Sequence, residues 1–183
     1  MSNYVSMGLM CMNETECTNS RGLSCHALVA AVAKVSYQRF RDARVLFDPI
    51  IREATLIRMQ ELGMDMSRRF DRISDAIQHF TEFTPDVHDF YITTTPGGAI
   101  RLEIGSTCPF RDACQIVDKK IGMVKGCAEA IVLLQVIECV CPQSESLTYD
   151  FRPAHRRDQA CTIHIGTVEQ IVLNQESQGL YTD

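Results

Sequence analysis

Apolar residues recur every three or four positions up to Pro85, switch to strict alternation, and then repeat that switch further along the chain. Residues 1–23 show neither period and mix Met, Asn, Thr and Cys, so they read as a flexible arm. A helix is expected to start after Ser24, a good capping residue, because Leu28, Val32 and Val35 stack on one face with Val29, Ala33 and Phe40 beside them. In a second helix Asp48 would serve as the N-cap, Pro49 as the first helical residue and Gly63 as the left-handed stop. The third spans 66–81, where Met66, Phe70, Ile73, Ile77 and Phe80 advance by 4, 3, 4 and 3 and form one apolar stripe.

Beyond Pro85 the period becomes two. Residues 88–95 are rich in aromatic and β-branched side chains, Pro96-Gly97-Gly98 is a turn signal, and Ile100, Leu102 and Ile104 alternate with Arg101, Glu103 and Gly105. That predicts a β-hairpin with one buried face. Cys108-Pro109-Phe110 follows, then a short helix over 111–120, a break at Gly122, and a nearly all-apolar helix over 124–141 that Pro142 stops. A helix apolar on most sides belongs in a core. A second hairpin takes residues 147–152 and 159–165, with the polar, basic turn 153–158 between them. Residues 167–183 read as an irregular strand over 168–173 and a polar tail. A lone hairpin is marginal in water, so the two should pair into a four-stranded antiparallel sheet with helices on one face, an α+β fold. The domain is expected over 24–166.

Composition narrows the function classes. Forty-five per cent of the 183 residues are apolar and 22% charged, proportions of a folded globular chain. A net charge of −5 argues against a nucleic-acid binder, which needs a basic surface. The most apolar stretch, 128–141, is too short to span a bilayer and carries Glu129, Gln135 and Glu138, so no membrane partner is expected. The first residues lack a basic segment followed by an apolar one, and the expected location is the cytoplasm.

Nine cysteines are the strongest anomaly, and an odd count in a reducing compartment is a poor disulfide scaffold. Cys108 and Cys114 sit at a strand end and in the next helix, while Cys139 and Cys141 sit where a helix stops. Those four are the candidate ligands of zinc or an iron–sulfur cluster, which thiolates bind tetrahedrally. The alternative for most of them is burial as small apolar side chains. Cys127 shares a helix face with Ile131 and Leu134, which places it in the core. Cys161 falls on one strand face with Ile163 and Ile165, leaving Thr162 and His164 on the other. Cys108 is also the best candidate nucleophile, because the helix starting near Arg111 should lower its pKa and Arg111 adds positive charge. His155 or His164 would be its base. His155 lies among Arg152, Arg156 and Arg157, a cluster suited to a carboxylate or phosphate.

Cys108-Pro109-Phe110, the helix carrying Cys127, and the closing strand Asp158-Gln159-Ala160-Cys161-Thr162-Ile163-His164-Ile165 resemble the 4-vinyl reductase domain. The chain is also similar to the L-2-amino-thiazoline-4-carboxylic acid hydrolase-like family, and the first of these is related in fold to subunits of the transport-protein-particle tethering complex. The resemblance covers residues 45–166. It implies a helical layer on an antiparallel sheet and a pocket for a small apolar or heterocyclic ligand. In that pocket Cys108, Cys127 and Cys161 match the family cysteines, with His155 and Arg111 nearby. It further implies a sensory or accessory domain without turnover. The hydrolase-like family implies instead attack by Cys108 on a thiazoline-like or amide substrate, and the tethering subunits imply a homodimeric interaction module. The chain departs from the pattern at Arg157-Asp158, where Gly-Asp is usual, and at Phe151-Arg152-Pro153, where another Cys is common.

Overall fold

The structure, a computed structural model, describes residues 25–42, 44–84, 90–105, 107–121, 126–142, 146–154 and 159–177. The expected arm over 1–23 and residues 155–158 of the basic turn, His155 among them, lie outside them. In chain order the elements are α1 (Cys25–Phe40), α2 (Arg44–Glu61), α3 (Ile73–Phe83), β1 (Phe90–Thr94) and β2 (Ile100–Ile104). They continue with α4 (Arg111–Ile121), α5 (Ala128–Val140), β3 (Thr148–Arg152), β4 (Cys161–Gly166) and α6 (Val168–Ser177).

The two hairpins pair as expected, giving an antiparallel sheet in the order β1-β2-β4-β3, so the fold is α+β. Register follows from alternation. Ile100 faces Ile165, Leu102 faces Ile163 and Ile104 faces Cys161 across the central pair, and Phe151 and Tyr149 of β3 extend the row. This inner face packs on α3 and α5 around Ile77, Leu102, Ile104, Leu133, Ile137 and Ile163. Behind α5 a second cluster joins α1, α2 and α4 through Ala30, Ala33, Phe47, Ile51, Val117, Ala128 and Ile131. Thus α5 lies between the sheet and the outer helices, and nine of its residues are buried. Arg52 of α2 clamps it from outside, reaching Glu138 with both terminal nitrogens and Gln135 Oε1 at 3.1 Å.

Several boundaries differ from the sequence pattern, each for a visible reason. Helix α2 starts at Arg44, so Asp48 is not its cap and Pro49 lies inside it. The extra turn is held by Ser36, whose hydroxyl donates to the Asp42 carbonyl at 2.8 Å and accepts the Leu46 amide at 3.0 Å, and by burial of Phe47. Gly63 does end α2, with φ of 69° and the Met64 amide returning to the Met59 carbonyl at 3.0 Å. Helix α3 begins at Ile73, not at 66. Asp65 instead accepts the Ser67 amide and hydroxyl in a local turn, and the Phe70 amide donates to the Val140 carbonyl at the end of α5. Met66 and Phe70 still pack on the core, but from a connecting strap. The periodicity there recorded burial, not helix.

The expected strand over 168–173 is the start of α6. A reciprocal cap fixes its first turn: the Thr167 amide donates to Gln170 Oε1 at 2.9 Å and the Gln170 amide to Thr167 Oγ1 at 3.3 Å. The junction is tight at Gly166, where a Cβ would lie 2.7 Å from Gln170 Oε1 and 3.2 Å from the Ala99 Cβ, so a larger residue would disturb the cap. Helix α6 packs on β3 and β4 over the outer sheet face, where Gln175 reaches Asp150 at 3.2 Å, so helices cover both faces and not one. Among the described residues no helix is long and apolar enough to cross a membrane.

Candidate functional site

Four local devices bring thiols to one place. Cys108 lies in the turn after β2, where its carbonyl accepts the Arg111 amide at 3.1 Å as α4 begins. Cys114 follows in α4, its amide bonded to the Phe110 carbonyl at 2.9 Å. Cys127 is the N-cap residue of α5, and its amide donates to the Tyr149 hydroxyl at 3.4 Å, which ties the helix start to β3. Cys161 opens β4 opposite Ile104, and its sulfur accepts the Ala154 amide at 3.3 Å. All four are free thiols.

Glu129, in the first turn of α5, completes the group. It is only 1% exposed, and burial pushes its carboxyl up to about 8. The five groups lie within electrostatic reach of one another. Burial raises Cys108 far above an ordinary thiol, and the charges of Glu129, Cys114 and Cys161 add to that, while the Phe110 amide works the other way. Cys114 is pushed up to about 11 by burial, then by Cys161 and Glu129. Cys127 is raised well above the usual value by burial, then by Cys114, with Cys108 and Glu129 contributing further. Burial thus favours the protonated form of Cys108, Cys114, Cys127 and Glu129.

Two sequence expectations change here. Cys108 was expected to be acidified by the start of α4, but desolvation outweighs the helix N-terminus and its thiol is held protonated. His164 is not its base: it lies on the outer sheet face beside Arg101 and Asp150, whereas Cys161 lies on the inner one. Arg111 donates to the Gly105 carbonyl at 3.0 Å and the Gln159 carbonyl at 3.2 Å, so it joins the two hairpin ends next to the cluster.

The expected metal quartet is divided. Cys127 caps the start of α5 and Cys141 its end, and 13 helical residues separate them by roughly 20 Å. Cys139 accepts from Gln135 at 3.3 Å, and Cys141 is raised by burial and then by Asp75 and Asp71. Cys108 and Cys114 therefore have Cys127 and Cys161 as neighbours. Among the described residues no three His, Cys, Asp or Glu side chains form a group that could hold a metal ion. Glu129 was missed as a functional residue, although an acid in the most apolar run of the chain was its signal. Family models, curated proteins and solved structures yield no match to the chain.

Two measurements follow from these acidities. Iodoacetamide at about pH 7.5 should modify Cys108 at least roughly tenfold more slowly than an ordinary exposed thiol, because the thiolate is the reacting species; peptide mapping reads the rate, and a rate at or above that of a free thiol contradicts the protonated state. Glu129 has a folded value above its unfolded 4.5, so its contribution to stability is complete below 4.5 and is lost as pH rises towards 8. Glu129→Gln should remove that slope, gaining up to about 1.4 kcal/mol per pH unit relative to wild type across this window. Urea denaturation of metal-free protein at several pH values measures it.

Proposed function

We propose that the chain is a ligand-binding sensory or accessory domain of 4-vinyl reductase type, and that its working site takes a soft divalent cation, zinc foremost. The observation that carries this is the convergence of Cys108, Cys114, Cys127, Cys161 and Glu129 from four separate elements. Apolar packing alone gives no reason to put a carboxyl among thiols. A cation does, since it makes thiolates and a carboxylate stable in a place where burial otherwise keeps them protonated. The donor types are suitable, sulfur with one oxygen donor for zinc and four thiols for an iron–sulfur cluster, although the side chains would have to move to form a ligand group. When bound, the ion would fix the turn after β2, the starts of α4 and α5, and β4 relative to one another. A small apolar or heterocyclic ligand would meet the same place through Ile104 and the surrounding core side chains.

The test uses Co²⁺ and Zn²⁺ added to chelator-treated protein. Expected are one equivalent bound, a thiolate-to-cobalt absorption band, proton release and a higher melting temperature with Zn²⁺. Cys127→Ala and Glu129→Gln should each weaken binding by roughly tenfold or more, in keeping with loss of a ligand, while Cys139→Ala leaves it unchanged. Absence of the band together with an unmoved melting temperature would remove the metal reading.

A second reading, a homodimer, is favoured by a different observation. Leu28, Val35 and Phe40 of α1 and Val45, Ile50 and Ile57 of α2 are each 44–52% exposed, more large apolar surface than two adjacent helices need to show. Sedimentation at micromolar concentration should give twice the chain mass, and Val35→Asp with Ile57→Asp should return the monomer.

A further inference from the structure

We propose that α6 is an acid-released clasp: protonation of His164, sealed beneath it between Arg101 and Asp150, frees the helix from the outer face of β3 and β4. His164 is 2% exposed, and neither ring nitrogen has a hydrogen-bond partner among the described residues. Its cross-strand neighbours are Arg101 of β2 and Asp150 of β3. A neutral imidazole tolerates this position; an imidazolium would add a second charge beside a guanidinium, with neither N–H satisfied.

The charged groups around it are few. From β2 comes Arg101, paired with Glu103 at 2.5 Å; from β3 come Asp150, engaged by Gln175, and Arg152. The residues that α6 turns inward, Ile171, Asn174 and Gln175, carry no charge, and its acids Glu169 and Glu176 are exposed. Asp150 alone favours the charged ring. Burial first, then Arg101 and Arg152, hold His164 below its ordinary 6.5. The clasped form is therefore favoured above 6.5 and loses ground as pH falls below it.

Few side chains of the helix are buried, although its backbone at Gln170 and Asn174 lies against Gly97 of the β1–β2 turn. Only Ile171 and Asn174 are buried along it, while Val168, Val172 and Leu173 are 63, 40 and 53% exposed. The face it covers is polar, since Arg101, Glu103, Asp150, Arg152 and Thr162 share it with His164. Uncovering such a face sacrifices little apolar burial, so α6 can leave as a local unit while the inner core stays closed.

Hydrogen exchange of the full chain, corrected for intrinsic rates, tests this. From about pH 7.5 to about pH 5.5 the α6 amides should lose protection several-fold, at most about tenfold for one histidine, while α5 amides hold theirs. His164→Phe should abolish the pH dependence. Arg101→Gln, which removes a repelling charge and leaves the histidine, should blunt it, so a folding failure of the first variant does not decide the matter. Unchanged α6 protection in the wild type, or equal loss across α5 and α6, would overturn the clasp.

Discussion

Burial of α5 is the constraint on which the architecture depends. A helix packed between a sheet and other helices needs apolar residues around most of its circumference, and Ala130, Ile131, Leu133, Val136, Ile137 and Val140 supply them at no exposure. Its neighbours have to cover it. The sheet does so with one face, which is why Leu102, Ile104, Ile163 and Ile165 alternate with polar residues. On the other side α2 does so, with Arg52 reaching past the apolar contact to Glu138. Even the strap before α3 serves this end, since the Phe70 amide takes up a carbonyl that the end of α5 leaves over.

The same burial sets the chemistry at the start of that helix. The first turn of a helix favours negative charge, yet Glu129 is raised because removal from water opposes ionisation more strongly than the helix end supports it. Cys108, Cys114 and Cys127 meet the same opposition, increased by their neighbours. A nucleophile needs a thiolate at working pH, whereas a ligand becomes one when the cation arrives. The environment that disfavours Cys108 in the first role is compatible with the second.

The sheet was legible because its signal is local: alternation fixes the face, and the turn residues fix the hairpins. That two hairpins unstable alone would pair was also legible, but which strands would meet at the centre of β1-β2-β4-β3 was not. What local pattern missed has a common cause. Met66 and Phe70 kept helical spacing because both touch the core, although Asp65 diverts the backbone. The β-branched Val168, Ile171 and Val172 suggested a strand, but Thr167 and Gln170 form a cap whose three-residue spacing was present in the sequence and outweighs that propensity. The thiol cluster was only half legible. Cys127 and Cys161 were placed by their faces and Cys108 by its strand end, but their meeting with Cys114 and Glu129 depends on how a turn, two helix starts and a strand end are packed in space, which one-dimensional spacing does not encode.

Strand β4 then shows how one element serves both sides. Its period of two sends Cys161, Ile163 and Ile165 inward and His164 outward, so only two residues separate a thiol in the candidate metal site from an imidazole under α6. The two sides differ in what holds them. Inward, dense apolar packing makes the environment rigid and every charge expensive. Outward, a ten-residue helix rests on a polar surface, with Ile171 and Asn174 buried, Gln175 bonded to Asp150 and its backbone against the Gly97 turn. A change of charge inside would disturb the whole core, so it has to be compensated where it arises. A change of charge outside can be met by the departure of one helix, which is why the titrating group suited to a reversible response is His164 and not Glu129.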